Sequence, residues 1–247
     1  MKKYLLWSIL IFALSCKTSE EIPQKVIGSL EPVSKGEIIK HTYFSLAYSE
    51  DDEQAYWVFY HLTPELINGT QSRTDDFRPD PIVSTGSASL ADYSGSGYDR
   101  GHLCPAADMT LNKTSMSETF FLSNMSPQVA VFNRGVWSTV EDQVRKWAIE
   151  FNGLDVATGP IFKDNLGTIG INQVTVPGYY YKVLYSEKEK IMLGLILQNK
   201  SGSKPLDQFV VPVDVIEQQT VVDFFPGLPD DIENKLEGSV NTTGWSF

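Results

Sequence analysis

Residues 55–62 (AYWVFYHL) are aromatic, β-branched and few, a pattern that predicts a buried strand. Residues 154–158 (LDVAT) read as a second strand, stopped by Gly159 and Pro160. Residues 178–185 and 191–198 flank the polar stretch 186–190 (SEKEK) and predict a strand pair joined by a turn. Residues 210–213 (VVPV) read as a short strand, and Pro212 suits an edge. Residues 68–97 are rich in Gly, Ser, Thr, Asp and Pro and predict a long irregular segment, the kind that often carries function. Short helices are expected at 214–219 and 230–236. One longer helix is predicted at 133–148. At about 100° per residue, Val136, Trp137, Val140, Val144, Trp147 and Ala148 lie within roughly 60° of one direction. Glu141 and Arg145 fall at about 80° and 120° from Asn133, together on one flank of that stripe. Helices and antiparallel strands mix without regular βαβ alternation, so the fold class is α+β.

The N-terminus follows a different logic. Lys2 and Lys3 precede an apolar run at residues 4–14, which is shorter than the roughly 20 residues a membrane-spanning helix needs. The run ends at Ala13-Leu14-Ser15-Cys16 and resembles a bacterial lipoprotein signal, in which the Cys is acylated and becomes the first mature residue. The plainer reading is a secretory signal with a chance Cys. On the first reading, residues 1–16 are the signal and Cys16 is the lipidation site. The polar residues 17–35 are then a flexible tether, and 36–247 one folded domain. The protein would be exported and held at a membrane through Cys16, periplasmic or on the cell surface.

The 247 residues suit one domain or two small ones. With 42% hydrophobic residues and 21% charged, disordered, collagen-like and coiled-coil chains are excluded. Two cysteines exclude a disulfide scaffold and a multi-cysteine zinc site. The net charge of −11 argues against coating nucleic acid by bulk charge. It leaves room for an enzyme that cuts nucleic acid and must release it.

The most informative segment is 98–109 (YDRGHLCPAADM), where His102 follows Gly101 in a tight polar setting. A lone His is more often structural than catalytic. Its neighbours change that: Thr119-Phe120-Phe121-Leu122-Ser123-Asn124-Met125-Ser126-Pro127-Gln128 is followed by Phe132-Asn133-Arg134-Gly135-Val136-Trp137, then Glu141 and Arg145. With Asp99-Arg100-Gly101-His102, this order and spacing resembles the DNA/RNA non-specific endonuclease family of the mitochondrial endonuclease G kind. Thr158-Gly159-Pro160-Ile161 and Phe224-Phe225-Pro226-Gly227-Leu228-Pro229 extend the likeness over roughly residues 40–235. The resemblance implies a ββα-metal (His-Me finger) fold, with a central mainly antiparallel sheet flanked by helices.

It also implies roles. His102 would be the general base that activates water, and Asn133 the one direct protein ligand to Mg²⁺, with Mn²⁺ as an alternative ion. Glu141 would hold metal-bound waters, so that it acts on the ion through water, and Arg145 and Arg73 would grip phosphate oxygens. Asp99, Arg100 and Asn124 would support the loop around His102. The substrates would be DNA and RNA, and the resemblance allows for a homodimer. Each residue has a plainer reading: Asn133 as a helix N-cap, Glu141 and Arg145 as a surface pair, Arg78 in place of Arg73. Cys104 reads as packing. A basic cleft built from Arg73, Arg78, Arg100, Lys113, Arg134, Arg145 and Lys146 is expected on an otherwise acidic surface. Two other functions compete: a catalytically inactive nucleic-acid-binding or adhesive surface lipoprotein, and a phosphodiesterase for a smaller substrate.

Overall fold

A computed structural model describes residues 29–202 and 204–247; the signal, Cys16 and the first part of the tether lie outside the described residues. In chain order the strands are β1 (Glu37–Lys40), β2 (Ser45–Ser49), β3 (Gln54–Leu62), β4 (Asp99–His102), β5 (Met125–Gln128), β6 (Leu154–Ile161), β7 (Thr168–Ile169), β8 (Val174–Thr175), β9 (Tyr179–Ser186), β10 (Ile191–Gln198) and β11 (Val210–Val211). Seven form one antiparallel sheet in the order β1-β2-β3-β6-β9-β10-β11, while β4 pairs with β5 and β7 with β8. The helices are α1 (Pro64–Ile67), α2 (Leu90–Tyr93), α3 (Lys113–Glu118), α4 (Ala130–Phe132), α5 (Ser138–Phe151), α6 (Val213–Thr220) and α7 (Asp230–Glu237).

Both faces of the large sheet are covered, which is why its central strands read as unbroken apolar runs. Along β3, Val58 and Tyr60 join the core that α5 closes, and Trp57 joins the opposite core with Ile216 and Phe224. The stripe predicted on the long helix is buried as expected at Val140, Val144, Trp147 and Ala148. The α+β class with a central antiparallel sheet flanked by helices holds.

Three expectations need correction. β6 does not stop at Gly159-Pro160 but runs on to Ile161. Its ladder to β3 ends at Thr158, so Pro160 lies where β6 has no partner on that side and its missing N–H costs no bond there. At Gly159 an added Cβ would come within 2.4 Å of the Tyr56 carbonyl oxygen, so the close packing of β3 on β6 needs glycine. The long helix starts earlier, at Ala130, and is interrupted by a wide turn at Asn133–Trp137, where Gly135 leaves helical geometry (φ −113°, ψ −112°). Asn133 is therefore inside the helical path, and the N-cap reading fails. Finally, residues 29–35, the far end of the expected tether, pack on the domain. Val33 exchanges backbone hydrogen bonds with Asp223, and the buried Ser34 hydroxyl accepts from the Trp57 indole at 2.9 Å.

Candidate active site

β4 and β5 pair in register, Asp99 opposite Gln128 and His102 opposite Met125, and β5 leads through Val129 directly into α4. Two antiparallel strands and a helix thus bring Asp99, His102 and Asn133 into one neighbourhood. Gly101 makes the close pairing feasible, since a Cβ there would meet the Gln128 side chain at 2.1 Å. Asn124 fastens the chain just beyond His102. Its Oδ1 accepts from the Cys104 N–H at 2.9 Å, and its Nδ2 donates to the Cys104 and Thr119 carbonyls at 2.9 and 2.8 Å. Cys104 is buried and free, consistent with packing.

His102 is not in a polar setting. Its ring meets Phe77 and Phe120 edge-on, at centroid distances of 5.8 and 5.1 Å. Arg100 lies over Phe77 at 4.1 Å and Arg73 over Phe120 at 4.7 Å. Burial, with the charges of Arg73 and Arg100, pushes the imidazole pKa down to about 3. The ring is therefore neutral across the physiological range. Nε2 is buried without a hydrogen-bond partner. The other two histidines are engaged elsewhere: His41 with Asp80 at 2.9 Å and His61 with Asp155 at 2.8 Å.

Asn133 donates Nδ2 to Asp99 Oδ2 at 3.0 Å. A carboxylate can only accept, so the amide nitrogen must face Asp99, and Oδ1 has no hydrogen-bond partner among the described residues. Arg134 grips the same carboxylate through Nε and Nη2 at 2.8 and 2.7 Å. Against the cost of burial, these bonds and the charges of Arg134 and Arg100 hold Asp99 below the usual carboxylate range. An oriented, uncommitted amide oxygen is the donor a hard cation takes, and such an ion keeps most of its waters. The residues present fit a divalent ion of the magnesium kind.

A cleft of about 790 Å³ opens beside these groups, lined among others by Arg73, Tyr93, Tyr98, Asp99, Arg100 and Asn133. His102 is set behind Phe77, itself a lining residue. The basic lining is narrower than the sequence suggests. Arg73, Arg100 and Arg134 reach the cleft, with Asp75 and Asp99 beside them, whereas Arg78 and Arg145 do not. Arg78 is bound by Asp76 at 2.9 Å and the Ser117 carbonyl at 3.0 Å, and lies over Phe121. Among the described residues, the ion pair of Arg73 is with the exposed Asp75. Arg73→Ala should accordingly raise KM for nucleic acid about three- to tenfold at unchanged Tm. Arg78→Ala should leave KM alone and cost about 1 kcal/mol, a few degrees in Tm. Steady-state kinetics and thermal melts of the two variants check this, and the reverse pattern would exchange the two residues' roles.

Glu141 and Arg145 belong to a charge cluster beneath the helix. A wide turn takes up about one residue more than a regular one, which rotates both back by roughly 100°, toward the face that carries Asn133. Arg145 donates to Asp108 at 2.7 Å and also to Asp142. Asp108, 1% exposed, accepts in addition from the Tyr60 hydroxyl at 2.9 Å. The wholly buried Lys182 donates to Thr158 Oγ1 at 3.3 Å and lies 4.5 Å over the Trp137 ring. Burial raises the Glu141 carboxyl against the pull of Lys182, and burial lowers Lys182 against the pull of Glu141 and Asp108. Sequence reading missed Asp108 and Lys182, because a lysine in a strand gives no sign of which buried acid it meets. Asp108→Ala would remove the buried carboxylate that Arg145 grips and one of the two acids that face Lys182. Urea unfolding should show a loss of about 3–5 kcal/mol; a loss below about 1 kcal/mol would mean the cluster is not a structural keystone.

Two antiparallel strands and a helix that set a histidine behind the wall of one cleft and an asparagine in its lining define the ββα-metal class of endonucleases. The comparisons with known proteins agree. The family model for DNA/RNA non-specific endonucleases matches residues 27–231. Nuclease C1 of Cunninghamella echinulata var. echinulata is 34% identical over 80% of this chain and 86% of its own. Human mitochondrial endonuclease G is 34% identical over 75% of this chain and 68% of its own. The solved structure of an EndoG/EndoGI complex superposes with a TM-score of 0.74 at 31% identity, covering 79% of this chain and 88% of that one. The chain belongs to the DNA/RNA non-specific endonuclease family. It is a nuclease, a hydrolase of nucleic acids.

Proposed function

We propose that the protein is a Mg²⁺-dependent, sugar-non-specific endonuclease that cuts DNA and RNA, with His102 as its general base. The observation that carries this reading is the pairing of a neutral, cation-flanked His102 with the Asp99-oriented Asn133 amide on one hairpin and helix. His102 accepts the proton of the water that attacks phosphorus, and the P–O3′ bond breaks with O3′ taking a proton from solvent water, which leaves a 5′-phosphate and a 3′-hydroxyl. Arg73 and Arg100 hold the scissile strand by its phosphates, and phosphate contacts carry no sequence information. Asp99 holds the Asn133 amide so that Oδ1 is presented as a metal ligand, and Glu141 orders water near that ion. A bound divalent ion would neutralise charge on the phosphate and stabilise the leaving oxygen.

The test is cleavage of supercoiled plasmid and of RNA by residues 17–247, with Mg²⁺, with EDTA, and with His102→Ala. Loss of cleavage on both substrates with EDTA and with the variant supports the reading. Folded protein that binds but cuts neither substrate with any divalent ion would favour an inactive nucleic-acid-binding lipoprotein.

We further propose export and anchoring by a lipid on Cys16, supported by Lys2-Lys3, the short apolar run and Ala13-Leu14-Ser15-Cys16. The wild type should fractionate with membranes and take up labelled fatty acid. Cys16→Ser should move it to the soluble fraction without label, and equal fractionation of both would refute the anchor.

A further inference from the structure

α6 and α7 lie on the sheet face opposite α5, where Val213, Ile216 and Leu236 join the second core. Asp214 and Glu217, three residues apart, share one face of α6. Glu237 is the last residue of α7. One carboxylate oxygen from each of the three lies within 4.8 Å of the other two. That span matches the diameter of an oxygen shell around Ca²⁺, whose ligands sit about 2.4 Å from the ion.

A second observation concerns Glu237 itself. It is 5% exposed, and its Oε1 is buried with no hydrogen-bond partner. Glu217 uses Oε1 to accept from the Phe224 N–H at 2.9 Å. The charges acting on Glu217 are those of Asp223, Asp214 and Glu233, and those acting on Glu237 are Glu217, Glu233, Asp214 and Asp223, carboxylates in both cases. Burial and those neighbours push the carboxyls of Glu217 and Glu237 up to about 7 and about 9. A buried carboxylate crowded by other carboxylates costs several kcal/mol unless a proton or a cation joins it. Three oxygens of this kind, with no sulfur or imidazole among them, select a hard ion.

We propose that Asp214, Glu217 and Glu237 form a second divalent-cation site of the calcium class, one that clasps α6 to α7. None of the three lines the nucleolytic cleft, so this site is independent of the catalytic reading. Its role is structural: the ion replaces mutual repulsion with shared ligation and ties the C-terminal helix to the sheet.

The experiment uses metal-stripped protein titrated with CaCl₂ alone, followed by calorimetry and thermal melting, in the wild type and in Asn133→Ala, which removes the cleft ligand. Both should bind Ca²⁺ at this site and gain about 5 °C or more in Tm at saturating CaCl₂. Glu237→Gln should weaken Ca²⁺ binding at least about tenfold, abolish the Tm gain, and melt higher than the wild type when both are metal-free. Asp214→Asn, at the outer side of the cluster, should weaken binding in the same direction and decides the matter if Glu237→Gln does not fold. Three results overturn the proposal: no bound Ca²⁺ in Asn133→Ala, an undiminished Ca²⁺ response in both carboxylate variants, or a metal-free Tm that rises on acidification from pH 8 to 6 with no Ca²⁺ response. The last would show that the cluster holds a shared proton instead of an ion.

Discussion

His102→Ala should lower kcat by about 10²–10⁴ with the fold intact, the range by which a positioned general base accelerates proton transfer. No nearby group replaces it, because His41 and His61 are each held by their own aspartate. The pH behaviour is the sharper part of this prediction. Burial, Arg73 and Arg100 favour the neutral ring, so kcat/KM should show no acidic limb from His102 between pH 5 and 7. A bound anionic phosphate offsets the two guanidinium charges, so the limb in kcat should lie at higher pH than that in kcat/KM. Arg73→Ala should move both limbs upward, since it removes one of the charges that disfavour the imidazolium.

Stability follows from the same shift. The folded-state pKa of His102 lies below its ordinary value of about 6.5, so the unfolded chain binds more protons in the window between the two. The contribution of His102 is fully present above about 6.5 and is lost as pH falls toward 3. His102→Asn should flatten that part of the acid-side stability profile, measured by urea melts from pH 7 to 4. An unchanged slope would mean the ring is solvated and its pKa ordinary.

Asn133→Ala should cost about 10²–10³ in activity and raise the Mg²⁺ concentration needed for half-maximal rate, whereas His102→Ala should leave that concentration unchanged. The reason is the division of labour at Asp99. Its carboxylate takes the Asn133 amide nitrogen and the Arg134 fork together, and so fixes which amide atom remains for the ion. Asn133→Asp is not a conservative change here, since it sets a second carboxylate against Asp99 and removes the donor that orients the side chain. Asp99→Ala should weaken Mg²⁺ binding about 10- to 100-fold while Oδ1 itself is retained. Calorimetric titration of Mg²⁺ into the wild type, Asn133→Ala and Asp99→Ala checks the order. Equal affinity in Asn133→Ala and the wild type would remove Asn133 from the metal site.

Much of this architecture was legible before any coordinates. β3, β9, β10 and the stripe on α5 follow from local periodicity, because burial on two sheet faces or one helix face imposes a spacing on apolar residues that is visible in one dimension. The residues near the cleft were legible for a related reason: His102 and Asn133 sit on contiguous segments whose order along the chain resembles a known family. The wide turn at Asn133–Trp137 was not, since a periodic stripe reads through a kink that a single Gly135 permits. Nor was the continuation of β6 through Pro160, which depends on where a neighbouring strand ends.

By itself the sequence determined the fold class, the principal strands and helices, and the identity of the residues that could do chemistry. Only the tertiary structure decided how those residues are spent. It bound Arg78 to Asp76 and Arg145 to Asp108, and left Arg73 and Arg100 at the cleft. It turned the setting of His102 from polar to aromatic, and it buried Lys182 beside the acids that α5 and the loop before α3 supply. The physical reason is one of range. Periodicity and capping are set by neighbours within a few residues. The electrostatics of a side chain are set by whichever charges the fold brings within a few ångströms, and those lie at any separation along the chain.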